Sequence, residues 1–386
     1  MTVEGDADRS SATIPDGLLR ARRNERYPSR KLRRVDRPTT IVTLEIARVS
    51  ERDSGFNRAA HGDLGRVPER EVGRFIEKHP LSAALSDMED LLRLDGPVAT
   101  QVAGLPDDPV ILSRHVKEVC NFLRADAVGV CVLPPYAVYS HDRDGDPVVN
   151  GHKNAIAILV DQGYDSFAGA TGHDWISGSQ SFVAYTRSAF IARILADYIR
   201  RLGYPARAHQ SGDYQLVVPP ILLLAGLGEM CRIGDIVLNP FLGPRFKASV
   251  VTTDMPLAPD KPIDFGLQDF CARCKKCARE CPSGAISAGE KVMHNGYERW
   301  DCDSDACTRY RVTNARGSSC GRCIKVCPWN KPDSWYHGAA TRVARRSGLA
   351  RRGLIWLDDA MGYQNADPSR KWWFDLEEID GRLLPR

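Results

Sequence analysis

The sequence predicts a mixed chain, α+β or α/β, in which a helix-and-strand domain over residues 105–260 leads into a ferredoxin-like domain over 261–340. Three observations carry this expectation. Short apolar runs alternate with stretches of helical spacing between residues 105 and 255. Cysteines crowd between Cys271 and Cys327. A chain of 386 residues with a hydrophobic fraction of 43% is too long for a ferredoxin alone and apolar enough for a packed core.

Residues 1–40 are polar and poor in periodicity, as a flexible basic arm is. Residues 41–104 read as a wrapping segment, with an amphipathic piece from Glu69 to His79 that Pro80 should stop. Helical spacing then sharpens at Val116, Val119, Cys120 and Leu123. Ala127 to Leu133 and Ala155 to Val160 read as buried strands. From Phe182 to Leu202 the apolar residues Ile191, Ile194, Leu195, Tyr198 and Leu202 share a helix face, and Gly203 supplies the stop. Leu216–Val218, Ile236–Leu238 and Ala248–Thr252 are further strand candidates between Gly- and Pro-bearing turns. Residues 341–386 form an aromatic segment, expected to pack back on the α/β domain.

Arg and Lys crowd residues 20–37 against only Glu25 and Asp36, yet the net charge of the chain is +4. A nucleic-acid partner is therefore not expected, and the arm reads as a solvated tail or docking strap. Arg22-Arg23 leads into more charge rather than an apolar segment, so no export signal is expected. The longest uncharged run, Tyr214 to Gly228, is short of a bilayer span and broken by Pro219 and Pro220, which gives no membrane partner. A cytoplasmic protein with reduced thiols fits these features.

The chemistry-bearing motif is Cys271-Ala-Arg-Cys274-Lys-Lys-Cys277-Ala-Arg-Glu-Cys281-Pro282, the run that bacterial two-cluster ferredoxins use for [4Fe–4S] centres. A second run follows with Cys307 set far ahead of Cys320-Gly-Arg-Cys323-Ile-Lys-Val-Cys327-Pro328. In such runs the fourth, proline-followed cysteine reaches the other cluster. Cys271, Cys274, Cys277 and Cys327 are thus expected around cluster 1, and Cys307, Cys320, Cys323 and Cys281 around cluster 2. Zinc favours separate Cys-x-x-Cys pairs closing one tetrahedron, and disulfide scaffolds are short and secreted. Cys302 reads as a spare thiol or a ligand swap for Cys307, and Cys120, Cys131 and Cys231 as core residues. Two adjacent clusters make an electron wire, and the residues upstream imply an acceptor at its inner end.

Thr253-Asp-Met-Pro-Leu-Ala-Pro-Asp-Lys-Pro262, the two cysteine runs and Asp333-Ser-Trp335 resemble corrinoid-dependent reductive dehalogenases. So do Ser113-Arg-His-Val-Lys-Glu118, Tyr136-Ala-Val-Tyr-Ser140, Ala225-Gly-Leu-Gly-Glu229, Gly243-Pro-Arg245 and Leu357 to Tyr363 with Trp372-Trp373. The resemblance implies a nitroreductase-like corrinoid-binding domain over 105–260 that holds cobalamin base-off, without an Asp-x-His-x-x-Gly signature. It implies reduction of an organohalide with electrons passed through two [4Fe–4S] clusters to cobalt, and a tyrosine proton donor aided by a cation. Carried over, the tyrosine falls on Tyr185 and the cation on Arg245 or Lys247; a phenol, ordinarily near pKa ~10, donates well if a cation stabilises its anion. Asp213, in Gln210-Ser-Gly-Asp213-Tyr214, falls beside the tyrosine as a second candidate acid. The resemblance further implies a ferredoxin, flavodoxin or separate reductase as electron donor. Two alternatives stand: an epoxyqueuosine-reductase-like enzyme acting on a non-halogenated substrate, with an aspartate as acid, and a non-enzymatic iron–sulfur carrier lacking corrinoid.

Overall fold

A computed structural model describes residues 25–75, 80–90, 94–173, 175–314, 319–374, 376–379 and 382–385. The basic arm up to residue 24, the end of the Glu69–His79 piece and the side chains of Trp372 and Trp373 lie outside the described residues. Among the described residues no helix is long and apolar enough to cross a membrane.

A four-stranded sheet positions everything else. Its order is β1 (Ala127–Val132), β2 (Asn154–Asp161), β6 (Phe246–Thr253), β3 (Ala206–His209), with every pairing antiparallel. Helix–strand alternation reads as α/β, whereas the antiparallel pairing is of the α+β kind. The inner strand β2 is apolar from Ala155 to Val160 because both its faces are covered. Ile156, Ile158 and Val160 point to one core, with Leu112, Val116 and Leu195; Ala155, Ala157 and Leu159 point to the other, with Ile221 and Leu222.

The first core is closed by α4 (Pro109–Phe122) and α6 (Ile176–Arg201), the second by α7 (Val218–Leu224). Helix α6 begins six residues before the apolar stripe at Phe182, because Ser177, Gly178, Ser179 and Gln180 are buried without being apolar. It ends at Gly203, whose φ is +92° and whose Cβ would lie 2.6 Å from Val102 Cα. The expected strand at Leu216–Val218 reduces to one bridge, Leu216 to Val138; Pro219 and Pro220 sit in the first turn of α7, where a missing N–H costs nothing. Proline acts likewise at Pro80, which opens α3 (Pro80–Asp90) after α1 (Gly55–Ala60) and α2 (Arg66–Gly73). The wrapping segment covers α6, with Ser82 Oγ 3.0 Å from Ser179 Oγ and the Thr186 hydroxyl donating to Leu85 O.

The described part of the arm, residues 25–40, is docked rather than flexible. Tyr27 stacks on Phe241, Leu32 is buried, and Arg34 donates to Gly226 O and Lys261 O. Val35 N–H bonds Pro262 O, and Thr39 donates to the buried Glu229 carboxylate, which also accepts from Phe265 N.

The short β4 (Glu229–Met230) and β5 (Val237–Leu238) lead to the cysteine region. There α8 (Leu267–Cys274) and α9 (Lys276–Arg279) carry the first run. The hairpin of β7 (Ile286–His294) and β8 (Tyr297–Cys302) turns at Asn295-Gly296, both at positive φ. Next, α10 (Ser304–Thr313), capped by the Asp303 carboxylate, explains why Cys307 stands apart: it is presented from its own helix. After α11 (Arg322–Lys325) come α12 (Trp335–Arg346) and α13 (Gly348–Ala360). The segment 341–386, expected to pack on the α/β domain, does so only in part. Ala344, Leu354 and Ile355 join Phe270, Trp329 and the cysteines instead, and Pro368–Phe374 returns to α5 (Tyr164–Ala168).

Candidate functional site

The eight cysteines form two adjoining groups. Cys271, Cys274, Cys277 and Cys327 line one small cavity with Phe270 and Trp329. Cys327 has Cys271, Cys274 and Cys277 as charge neighbours, whereas Cys307, Cys320 and Cys323 share Cys281. Among the described residues no three His, Cys, Asp or Glu side chains converge tightly enough for a single metal ion. The thiols of the first group line a space instead, the donor set that a cluster needs and a lone zinc does not.

Burial pushes Cys274 up to about 11 and Cys277 to about 12, so positive charge must enter the cavity to hold these sulfurs as thiolates. Burial also acts to raise Cys281, but the Ser283 hydroxyl and nearby backbone N–H groups outweigh it and hold that thiol below its ordinary value. Buried cations surround the region. Lys276 pairs with Asp358 and, at 2.9 Å, with Asp359; Arg232 donates to Cys271 O and stacks 4.7 Å over Trp300. Lys325 falls to about 8, by burial first and then through Lys331 and Arg322.

Two further thiols accompany the eight. Cys231, expected in the core, is buried and apolar in company, yet it lines the first cavity. Cys302 lies beside Cys307 and Cys281, and burial raises it to about 12.

The second group backs directly onto α6. Ser177 Oγ donates to Cys320 O at 3.0 Å, and a Cβ on Gly321 would meet Ser177 Cβ at 2.8 Å. Two turns further along the same helix is Tyr185. Lys247, on β6, holds its ammonium 4.7 Å from the Tyr185 ring centroid. Alternation explains the meeting, since Lys247, Ser249 and Val251 share a strand face and Ser249 Oγ donates to Ser188 Oγ of α6.

Arg245 is occupied elsewhere. It makes a two-pronged pair with Asp161, at 2.8 and 3.1 Å, and donates to Asn330 and Lys331 O, so it braces the sheet against the second cysteine run. Asp213 pairs with Arg207 at 3.0 Å in a turn bridged to Gln210, and Tyr185 is not among its hydrogen-bond or ion-pair partners. The structure thus brings Tyr185 and Lys247 together and leaves Arg245 and Asp213 in other pairings.

Sequence reasoning missed Arg311, Phe56 and Phe75. The Arg311 guanidinium lies 4.6 Å over Phe56 and 5.6 Å over Phe75, and its charge opposes the rise that burial imposes on Cys307 and Cys320. Phe75 packs with Phe182, whose ring is 6.4 Å from that of Tyr185. An aromatic wall with one arginine therefore lies between the second cysteine group and the tyrosine. Its parts come from α1, the end of α2 and α10, and no local pattern announces that they meet. A cavity of about 500 Å³ beside α4 and β1 is lined by Arg114, His115 and Lys117 and by none of these groups.

Fold and site together define a mixed α/β protein with a dicluster iron–sulfur unit; residues 270–331 match the 4Fe-4S dicluster domain. The chain is similar, more particularly, to reductive dehalogenases. The tetrachloroethene reductive dehalogenase of Sulfurospirillum multivorans is 31% identical over 295 residues, 66% of this chain and 58% of that protein. That of Dehalobacter restrictus is 36% identical over 222 residues, 55% of this chain and 39% of that protein. The solved catabolic reductive dehalogenase NpRdhA, in complex with 3-bromo-4-hydroxybenzoic acid, superposes with a TM-score of 0.90 at 45% identity, covering 96% of this chain and 55% of that one. The chain thus spans roughly half the length of the proteins it matches.

Proposed function

We propose that this chain is the catalytic part of a corrinoid-dependent reductive dehalogenase. Its reaction would replace a carbon–halogen bond by a carbon–hydrogen bond, consuming two electrons and one proton and releasing halide. The observation that carries this reading is the Lys247 ammonium over the Tyr185 ring, beside the second cysteine group. When bound, the two [4Fe–4S] clusters supply one-electron relays and base-off cobalamin supplies the reducible metal that a carbon–halogen bond requires.

The neighbours of Cys327 and Cys281 support the exchange of fourth ligands between the two runs. Gln180, at the polar start of α6, and Gln162, just after β2, each keep a buried side-chain carbonyl without a hydrogen-bond partner among the described residues, acceptors suited to the amide groups that fringe a corrin ring in a nitroreductase-like domain. Tyr185 holds the proton at its phenol oxygen, and Lys247 stabilises the phenolate left behind. Phe56, Phe75 and Phe182 exclude water and favour a flat substrate, while Arg311 offers a partner to an anionic substituent. A halogenated aromatic acid is the substrate class these groups fit. A reducing compartment keeps the thiols available for iron, and on that chemistry we assign the protein to the cytoplasm with an external ferredoxin, flavodoxin or reductase as donor.

Anaerobic reconstitution with iron, sulfide and hydroxocobalamin tests the reading. About eight irons and one cobalt per chain, with halide released from brominated hydroxybenzoates, is the expected result. Tyr185→Phe should keep both metals and lose halide release. Iron without cobalt would replace the proposal by an iron–sulfur carrier.

A further inference from the structure

We infer that the outward face of α12 and α13, with the α8–α9 junction, docks a small acidic protein that delivers one electron at a time. This rests on reading Cys271, Cys274, Cys277 and Cys327 as cluster ligands. Helix α13 has two dissimilar faces. Inward, Leu354 and Ile355 pack among the cysteines, and Asp358 and Asp359 pair with Lys276, the residue between Lys275 and Cys277. Outward, Leu349 is 80% exposed and Trp356 is 70% exposed. They stand two helical turns apart on one stripe, with Arg352 between them. A bare tryptophan and leucine on one stripe form the kind of apolar centre that partners bury.

The charge around this centre has one sign. Lys275, Arg342, Arg346 and Arg352 have no carboxylate partner among the described residues. The nearby carboxylates are already committed, Asp269 to Arg273 and Arg351, and Asp359 to Lys276 and Arg279. A basic rim around an apolar centre complements an acidic partner.

Position gives the rim its purpose. Lys275 is exposed, with φ at +53°, in the turn that joins Cys274 to Lys276 and Cys277, so a protein bound there approaches the first cysteine group as closely as this surface allows. The second group faces the other way, against α6. Electron transfer falls steeply with distance, so electrons arrive at the first group and leave from the second.

The test is stopped-flow reduction of the reconstituted protein by a pre-reduced acidic ferredoxin, without organohalide. Wild-type rates should fall with rising salt. The variant Arg342→Glu/Arg346→Glu/Arg352→Glu should react at least about tenfold more slowly at low salt and lose the salt dependence, while its iron content and its reduction by titanium(III) citrate stay unchanged. Arg352→Glu alone should show a smaller shift in the same direction and serves if the triple variant does not fold. Unchanged ferredoxin rates with intact clusters would overturn the surface and leave the dehalogenase reading standing. Absence of clusters would overturn both. A salt-sensitive RNA complex that blocks the ferredoxin, or a dimer in sedimentation that persists in the variant and hides Trp356, would assign the face to another occupant and overturn the inference.

Discussion

Replacing Gly321 with alanine isolates how tightly the second cysteine run is seated on α6. Gly321 has φ +65°, and its new Cβ would lie 2.8 Å from Ser177 Cβ and 2.9 Å from Phe167 Cζ. Neither neighbour yields easily, since the Ser177 hydroxyl is bonded to Cys320 O and Phe167 is fully buried. A non-glycine residue in left-handed backbone costs about 1–2 kcal/mol, and overpacking adds about 1–3 kcal/mol. The sum, roughly 2–5 kcal/mol, falls on the segment that carries Cys320 and Cys323. Gly284 is the internal control: its φ is +66°, it also follows a cysteine run, and an added Cβ meets nothing within 4 Å. Gly284→Ala should show only the backbone cost. Iron per chain and the guanidinium midpoint of the reconstituted protein read the difference. Equal losses in the two variants, or full iron with an unshifted midpoint in Gly321→Ala, would refute the claim that this loop is sterically locked to α6.

Lys247→Met should lower turnover by about 10²-fold or more with iron content unchanged, measured as halide release against metal analysis; retained turnover would remove Lys247 from the site. Arg245→Met should destabilise by about 3–5 kcal/mol, because Asp161 is left buried without its cation; a midpoint within error of wild type would contradict the bracing role. Cys281→Ser should alter the EPR signal of the cluster held by Cys307, Cys320 and Cys323, and Cys327→Ser that of the other; the reverse assignment would refute the exchange of fourth ligands. On the open face of α13, Gly353→Ala meets nothing within 4 Å and should raise the thermal midpoint by the equivalent of about 0.5–1 kcal/mol.

What the sequence reveals here is what a short window contains. Strand β2 is read within a residue at each end from its apolar run Ala155 to Val160, the stripe of α6 places the helix end at Gly203, and the cysteine runs stand out by their fixed spacing. The start of α6 escapes because Ser177 to Gln180 are buried as polar, small residues, invisible to hydrophobic periodicity. Lys247 and Arg245 are inseparable in sequence, being two residues apart on one side of a strand. Only tertiary structure shows that Arg245, just ahead of β6, turns to Asp161 while Lys247 reaches Tyr185. The Arg311–Phe56–Phe75 wall is illegible for a stronger reason, since its members meet across most of the chain with no shared period. Antiparallel pairing is hidden in the same way, because a strand's neighbour is not written in its own residues.

The docked arm also sets a timetable for synthesis. Arg34 bonds the carbonyl of Lys261, 227 residues later in the chain, and Thr39 waits for Glu229, 190 residues later. At about 5–20 residues per second, Arg34 leaves the ribosome roughly 10–45 s before its partner exists. During that interval Leu32 and Tyr27 have nothing to cover them, and the cysteine runs are the last of these pieces to emerge. The arm therefore closes over the sheet only when the cysteine region begins to form, so iron delivery and the final burial of the amino-terminal residues fall in the same late stage of folding.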